Sequence, residues 1–287
     1  MDYDATMNWR NFNKSGNVED RRGGGVARAG GLGLGGIVIA VIGGLIFGVN
    51  PLQILGLLGA GTSYTTQGNV DTSSPAMQRD LEFVQSVLGD TERVWSEVFT
   101  RGGQQYSPPK LVLFSGQVSS GCGAAQSAMG PFYCPADQKV YLDTQFYGEL
   151  RGTSNNDFAK AYVIAHEVGH HVQNLLGISE KADAQAARGS KATANAISVR
   201  IELQADCFAG IWGKSGAALS GASDADIAAA LETAREIGDD TLQRASRGAV
   251  VPDSFTHGSS AQRQRWFTIG LQSGDFAKCN TFAARTL

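Results

Sequence analysis

Apolar and polar positions divide the chain into four stretches of different rhythm. Residues 1–28 are polar, rich in Gly, Asn and Arg, and nearly free of aliphatic side chains, which predicts a disordered tail. From Gly31 to Val49 the chain is almost wholly apolar, and no charged residue falls between Ala29 and Val70. As a helix, residues 29–50 reach across a hydrocarbon core of about 30 Å, so this run predicts one transmembrane helix. Residues 51–73 follow as a linker, and from 61 they are rich in Thr, Ser, Gln, Asn and Gly. From Ser74 onward apolar residues recur at helical or strand spacing, which predicts one folded domain over residues 74–287.

Within that domain Ser74-Pro75 opens a helix with Phe83, Val84, Val87, Leu88 and Trp95 on its packed face. Leu111 to Phe114 reads as a strand, and Lys139-Val140-Tyr141-Leu142 alternates as another, short enough to be an edge strand. Asn155 and Asn156 are candidate caps of a helix that carries Phe158, Tyr162, Ala165, Val172 and Leu176 on one face and stops at Gly177. Further helices run from Thr193 to Trp212, from Asp224 to Arg247 behind a Ser223/Asp226 capping box, and from Ser260 to Ser273. The class is α+β, helix-dominated, with a small sheet, preceded by the transmembrane helix.

Charge adds an orientation. Arg21, Arg22 and Arg28 precede the apolar run, and no Lys or Arg follows until Arg79. The positive-inside rule then predicts a single-pass protein of the cytoplasmic (inner) membrane, with its N-terminus inside and its large domain extracytoplasmic or periplasmic. A cleaved signal peptide ending near Gly59-Ala60-Gly61 is the alternative. Gly31/Gly35 and Gly44/Gly48 each form G-x-x-x-G and suggest a homodimer face. The net charge is only −3 and there is no basic stripe, which argues against nucleic acid as a partner. All four cysteines lie in the predicted outer domain, where an even count suggests disulfides. Of the three connectivities, Cys122–Cys134 with Cys207–Cys279 is favoured; a four-cysteine zinc site has the wrong spacings.

The candidate chemistry lies in Ala165-His166-Glu167-Val168-Gly169-His170-His171, which holds three of the four histidines. On a helix, residues i and i+4 share a face, so His166 and His170 can bind one Zn2+ per chain. Glu167 lies about 100° around the helix, within reach of a metal-bound water. A catalytic zinc takes three protein ligands and keeps one position open. Glu202 is the candidate third ligand, and Asp206, one turn on, is placed to accept the free N–H of a ligating histidine. Gly169 inside the helix costs about 1 kcal/mol relative to Ala, which makes sense if another element packs closely there. His171 points away from the pair and reads as structural.

His166-Glu167-x-x-His170 followed by Glu202-x-x-x-Asp206 resembles the glutamate-zincin peptidases. More closely, Gly116–Gly274 resembles the putative neutral zinc metallopeptidase family of bacterial membrane proteins. The matching pieces are Ser120-Gly121-Cys122-Gly123, Gly130-Pro131-Phe132-Tyr133-Cys134-Pro135, Asp137 to Asp143, the histidine helix, Glu202 to Cys207 and Thr256-His257-Gly258. The resemblance implies hydrolysis of peptide bonds in an extended peptide or protein substrate, with Glu167 as general base. It also favours His257 as a donor to the oxyanion, where the residues alone equally allow a loop or capping histidine. The contrasting reading is a non-catalytic envelope binding or scaffold protein that retains the fold. A purely structural metal site, however, needs no general base.

Overall fold

The computed structural model describes residues 7–22, 74–126, 130–144 and 156–287. Strand β1 (Val18–Asp20) pairs in parallel with β2 (Lys110–Phe114), across helix α1 (Pro75–Arg101) in the chain. After β2 come the hairpin strands β3 (Gln117–Ser120) and β4 (Gly123–Gln126), then β5 (Phe132–Cys134) and β6 (Lys139–Asp143). The main sheet has the order β1-β2-β6-β5, with β5 antiparallel to β6 and the other pairs parallel. Side chains alternate across a strand, so each face of the sheet gathers its own set. Leu111, Leu113, Val140 and Leu142 join the main core with α1. Val112, Phe114 and Tyr141 turn the other way and pack with Cys134, Val118 and Phe132. The Cys122–Cys134 disulfide ties the hairpin turn to β5.

The second half is helical: α2 (Asp157–Leu175), α3 (Ile178–Ala186), α4 (Lys191–Ser220), α5 (Asp224–Glu236), α6 (Asp239–Arg247) and α7 (Ser260–Ser273). Side-chain caps set the starts: Asn156 Oδ1 accepts from Phe158 N at 2.8 Å, and capping boxes open α5 and α7. Long α4 packs against both α2 and α7. Small residues make these approaches possible. A Cβ added at Gly270 would sit 1.9 Å from the Cys207 carbonyl oxygen, and one at Gly169 would sit 3.1 Å from that of Ala205. The Cys207–Cys279 disulfide then fastens α4 to the C-terminal turn Phe276–Cys279.

Several expectations are corrected. Residues 7–22 are not a disordered tail but part of the fold. Met7, Trp9 and Phe12 are buried in the main core, and Trp9 Nε1 donates to Asp157 Oδ2 at 3.0 Å. A Cβ at Gly89 of α1 would meet the Asn13 carbonyl oxygen at 2.0 Å, so this segment lies directly on the helix. The reason it escaped detection is physical: three apolar side chains without period give no amphipathic signal, and their partners lie far along the chain.

The membrane placement fails with it. Among the described residues no helix is long and apolar enough to cross a membrane. The Gly31–Val49 run, its G-x-x-x-G pairs and the 51–73 linker lie outside the described residues. Because β1 and β2 are paired neighbours, the chain before and after that run belongs to one folded unit. A single-pass arrangement with residues 1–28 inside and 74–287 outside is therefore overturned, and the fold is helix-rich α+β with a small sheet. Arg21 and Arg22 are instead engaged within the described fold. The Arg21 N–H donates to Leu113 O at 2.8 Å, and the buried Arg22 guanidinium binds Asp20 and the Met77 carbonyl. Nor is Lys139–Leu142 an edge: β6 lies between β2 and β5.

Two outcomes test the N-terminal docking. Trp9→Ala is expected to cost about 3–5 kcal/mol in urea unfolding, and a chain beginning at Ser74 to lose more. An unchanged midpoint for both would mean that the segment is undocked. Glu19 of β1 pairs with Lys139 at 3.0 Å. Burial pushes its carboxyl up, but Lys139 and Arg21 outweigh this and bring it down to about 2 from 4.5. The stabilisation is therefore complete above pH 4.5 and lost as pH falls through about 2. Glu19→Gln is expected to cost about 1 kcal/mol near neutral pH and nothing at the acid end.

Candidate metal centre and active site

One turn of α2 brings His166 and His170 together, with ring centroids 4.8 Å apart. Glu202 of α4 faces them across the close helix contact at Gly169. Its Oε2 lies 3.2 Å from His166 Nε2, and its Oε1 lies 3.6 Å from His170 Nε2. One ligand atom from each of the three residues can be chosen so that all lie within 4.8 Å of one another. Each ring uses its other nitrogen elsewhere: His166 Nδ1 on Asp206 at 2.8 Å, His170 Nδ1 on Gln173 Oε1 at 2.9 Å. Two Nε2 atoms and a carboxylate thus converge, a donor set that zinc accepts.

The electrostatics agree. Burial works against an ionised Glu202, yet His170 and His166 outweigh it and hold the carboxyl well below the usual range. Burial would likewise strip His166 of its proton, but Asp206 and Glu202 raise it to about 9. Both shifts express one demand, a positive charge between these side chains. A divalent cation held by His166, His170 and Glu202 would satisfy it in place of protons.

Asp206 is fully buried and saturated. It accepts from His166 Nδ1, from Tyr162 Oη at 2.6 Å, and from Arg263 Nε and Nη2, both at 2.8 Å. Burial opposes its ionisation; Arg263 and His166 outweigh this and bring it to about 2. Arg263 and Tyr162 were missed in the sequence. Arg263 stands among polar Gln262, Gln264 and Arg265, yet it is in phase with buried Trp266, Phe267 and Gly270 at i+3, i+4 and i+7. That phase was the available signal.

Glu167, on the same turn as the histidine pair, is 8% exposed, and no hydrogen bond reaches its carboxylate among the described residues. Burial raises its carboxyl above the usual range against the pull of His170 and His166. His257 sits in the loop before α7, where Asp239 holds it. Asp239 Oδ2 accepts the N–H groups of Thr256, His257 and Gly258 at 2.7, 2.6 and 3.0 Å, and its Oδ1 lies 3.2 Å from His257 Nδ1. Gly258 has φ +89, and a Cβ there would meet Leu203 and Val199 at 3.1 and 3.3 Å, so the loop lies against α4 beside Glu202. Burial pushes His257 down, but Asp239 and Glu202 outweigh this and raise it. Asp239 was also missed, because its partner lies eighteen residues on. His171 does not join the site: its ring bridges Tyr133 Oη at 3.0 Å and Ser107 O at 2.7 Å.

The family model described as putative neutral zinc metallopeptidase matches residues 7–282. The match therefore begins with the docked N-terminal segment. Escherichia coli K12 has a relative, named only as uncharacterized protein YpfJ, that is 45% identical over 285 residues, covering 96% of this chain and 99% of its own. Uncharacterized protein Rv2575 of Mycobacterium tuberculosis H37Rv is 48% identical over 197 residues, 63% of this chain and 65% of its own. No solved structure matches the chain. With a match of this extent and a converging His166, His170 and Glu202, the chain belongs to the putative neutral zinc metallopeptidase family.

Proposed function

We propose that the protein is a zinc-dependent peptidase in which His166, His170 and Glu202 hold the metal and Glu167 is the general base. The observation that carries this reading is Glu167 itself. A carboxylate only 8% exposed, one position from a metal ligand and with burial working against its ionisation, is of no use to a structural metal site. When bound, zinc supplies an acidified water and a Lewis acid for the scissile carbonyl. Glu167 takes the proton from the attacking water and passes it to the leaving amine; its raised carboxyl suits both transfers. His257, with Nδ1 held by Asp239, offers Nε2–H to the developing oxyanion. Asp206 orients His166 and is itself kept ionised by Arg263. An extended peptide is best accommodated along β5, an edge of the main sheet, tied to α2 through Tyr133 Oη and Asn174.

The full-length chain is expected to bind one zinc and to cleave peptides from a broad library. Glu167→Gln is expected to lower kcat/KM by about 10²–10⁴ while zinc binding stays intact. Zinc uptake with no cleavage by either protein would favour the non-catalytic binding or scaffold reading instead. Arg263→Met strands the Asp206 carboxylate in the core and is expected to cost about 3–5 kcal/mol in urea unfolding of the metal-free protein. Arg263→Lys should recover part of that loss, and a neutral Arg263→Met would remove Arg263 from the supporting network.

A further inference from the structure

The two ligand histidines are held by chemically different partners. His166 Nδ1 faces a carboxylate, Asp206; His170 Nδ1 faces the neutral amide of Gln173. A side-chain amide can present either its oxygen or its NH2, and only the oxygen accepts a proton from Nδ1. Here the choice is forced. Gln173 Nε2 donates to the Ile201 carbonyl at 2.7 Å and to Gln204 Oε1 at 3.1 Å. Gln204 is turned by the same logic, because its Nε2 donates to the Cys279 carbonyl at 2.9 Å. Backbone carbonyls cannot donate, so reversing either amide would set oxygen against oxygen inside the protein. Gln173 is fully buried and Gln204 nearly so. The relay thus runs from His170 through two amides to carbonyls on α4 and on the C-terminal turn, and the Cys207–Cys279 disulfide fastens that turn.

We propose that Gln173 and Gln204 are positioning residues that lock His170 as its Nδ1–H tautomer and so keep Nε2 proton-free for the metal. The competing tautomer has a ready acceptor, since Glu202 Oε1 lies 3.6 Å from His170 Nε2. A neutral relay orients the ring without adding a further carboxylate to Glu202, Asp206 and Glu167. Its functional weight rests on the metal reading above; the tautomer itself does not.

The test uses the metal-free full-length protein, with histidine tautomers read by long-range proton–nitrogen NMR at a pH where the rings are neutral. Wild type is expected to show His170 as Nδ1–H. Gln173→Met is expected to move it to Nε2–H, and Gln173→Glu, which retains an acceptor, to keep the wild-type tautomer. Zinc titrated against a chelator is expected to bind Gln173→Met about 10–100-fold more weakly, with a smaller loss for Gln204→Met. Leu88→Ala in the core of α1 loses stability but is expected to keep both the tautomer and the zinc affinity. Wild-type His170 as Nε2–H, an unmoved tautomer in Gln173→Met, or an equal affinity loss in Leu88→Ala would overturn the proposal. Wild type that takes up no zinc sinks the metal reading and leaves the tautomer result standing. Tight zinc binding indifferent to Gln173→Met sinks the relay alone.

Discussion

Two carboxylates one turn apart on α4, Asp206 fully buried and Glu202 mostly so, set the terms for their surroundings. Each buried anion costs several kcal/mol unless positive charge and hydrogen bonds answer it. Glu202 is answered by the histidine pair and Asp206 by Arg263, His166 and Tyr162. The answering groups come from α2 on one side and α7 on the other, so both helices must approach α4 closely. That requirement accounts for Gly169 against Ala205 and Gly270 against the Cys207 carbonyl. The glycines that weaken the helices as isolated segments are what allow the charges to meet.

What was legible in the sequence followed from how local each signal is. His166, His170, Glu202 and Asp206 each stand four residues from a partner, and an α-helix turns that spacing into a shared face without help from elsewhere. The disulfide pairs were legible for a related reason: few cysteines leave few choices. Arg263, Asp239 and Gln173 were not, because a charged or amide side chain on a helix is most simply read as solvated. Only the presence of a buried group opposite reveals otherwise.

The largest departure concerns residues 7–22, where composition and topology disagree. A polar stretch with Arg21 and Arg22 before an apolar run has the local grammar of a membrane protein's cytoplasmic end. The same residues gain order by lending Trp9 to a core built elsewhere and β1 to the edge of an existing sheet. Three-residue strands carry too little pattern to announce themselves; the partner makes them strands.

The pairing of Val18 with Leu111 also carries a timetable. Those residues are ninety-three apart (111 minus 18), so β1 leaves the ribosome long before β2 exists. At ordinary elongation rates the wait is roughly 5–20 seconds. Throughout it, the residues of β1 wait without their sheet partner. A sparse, polar N-terminal segment suits that interval better than a stickier strand would. The weak local signal that hid β1 from inspection is thus the property that lets it arrive late at its own sheet.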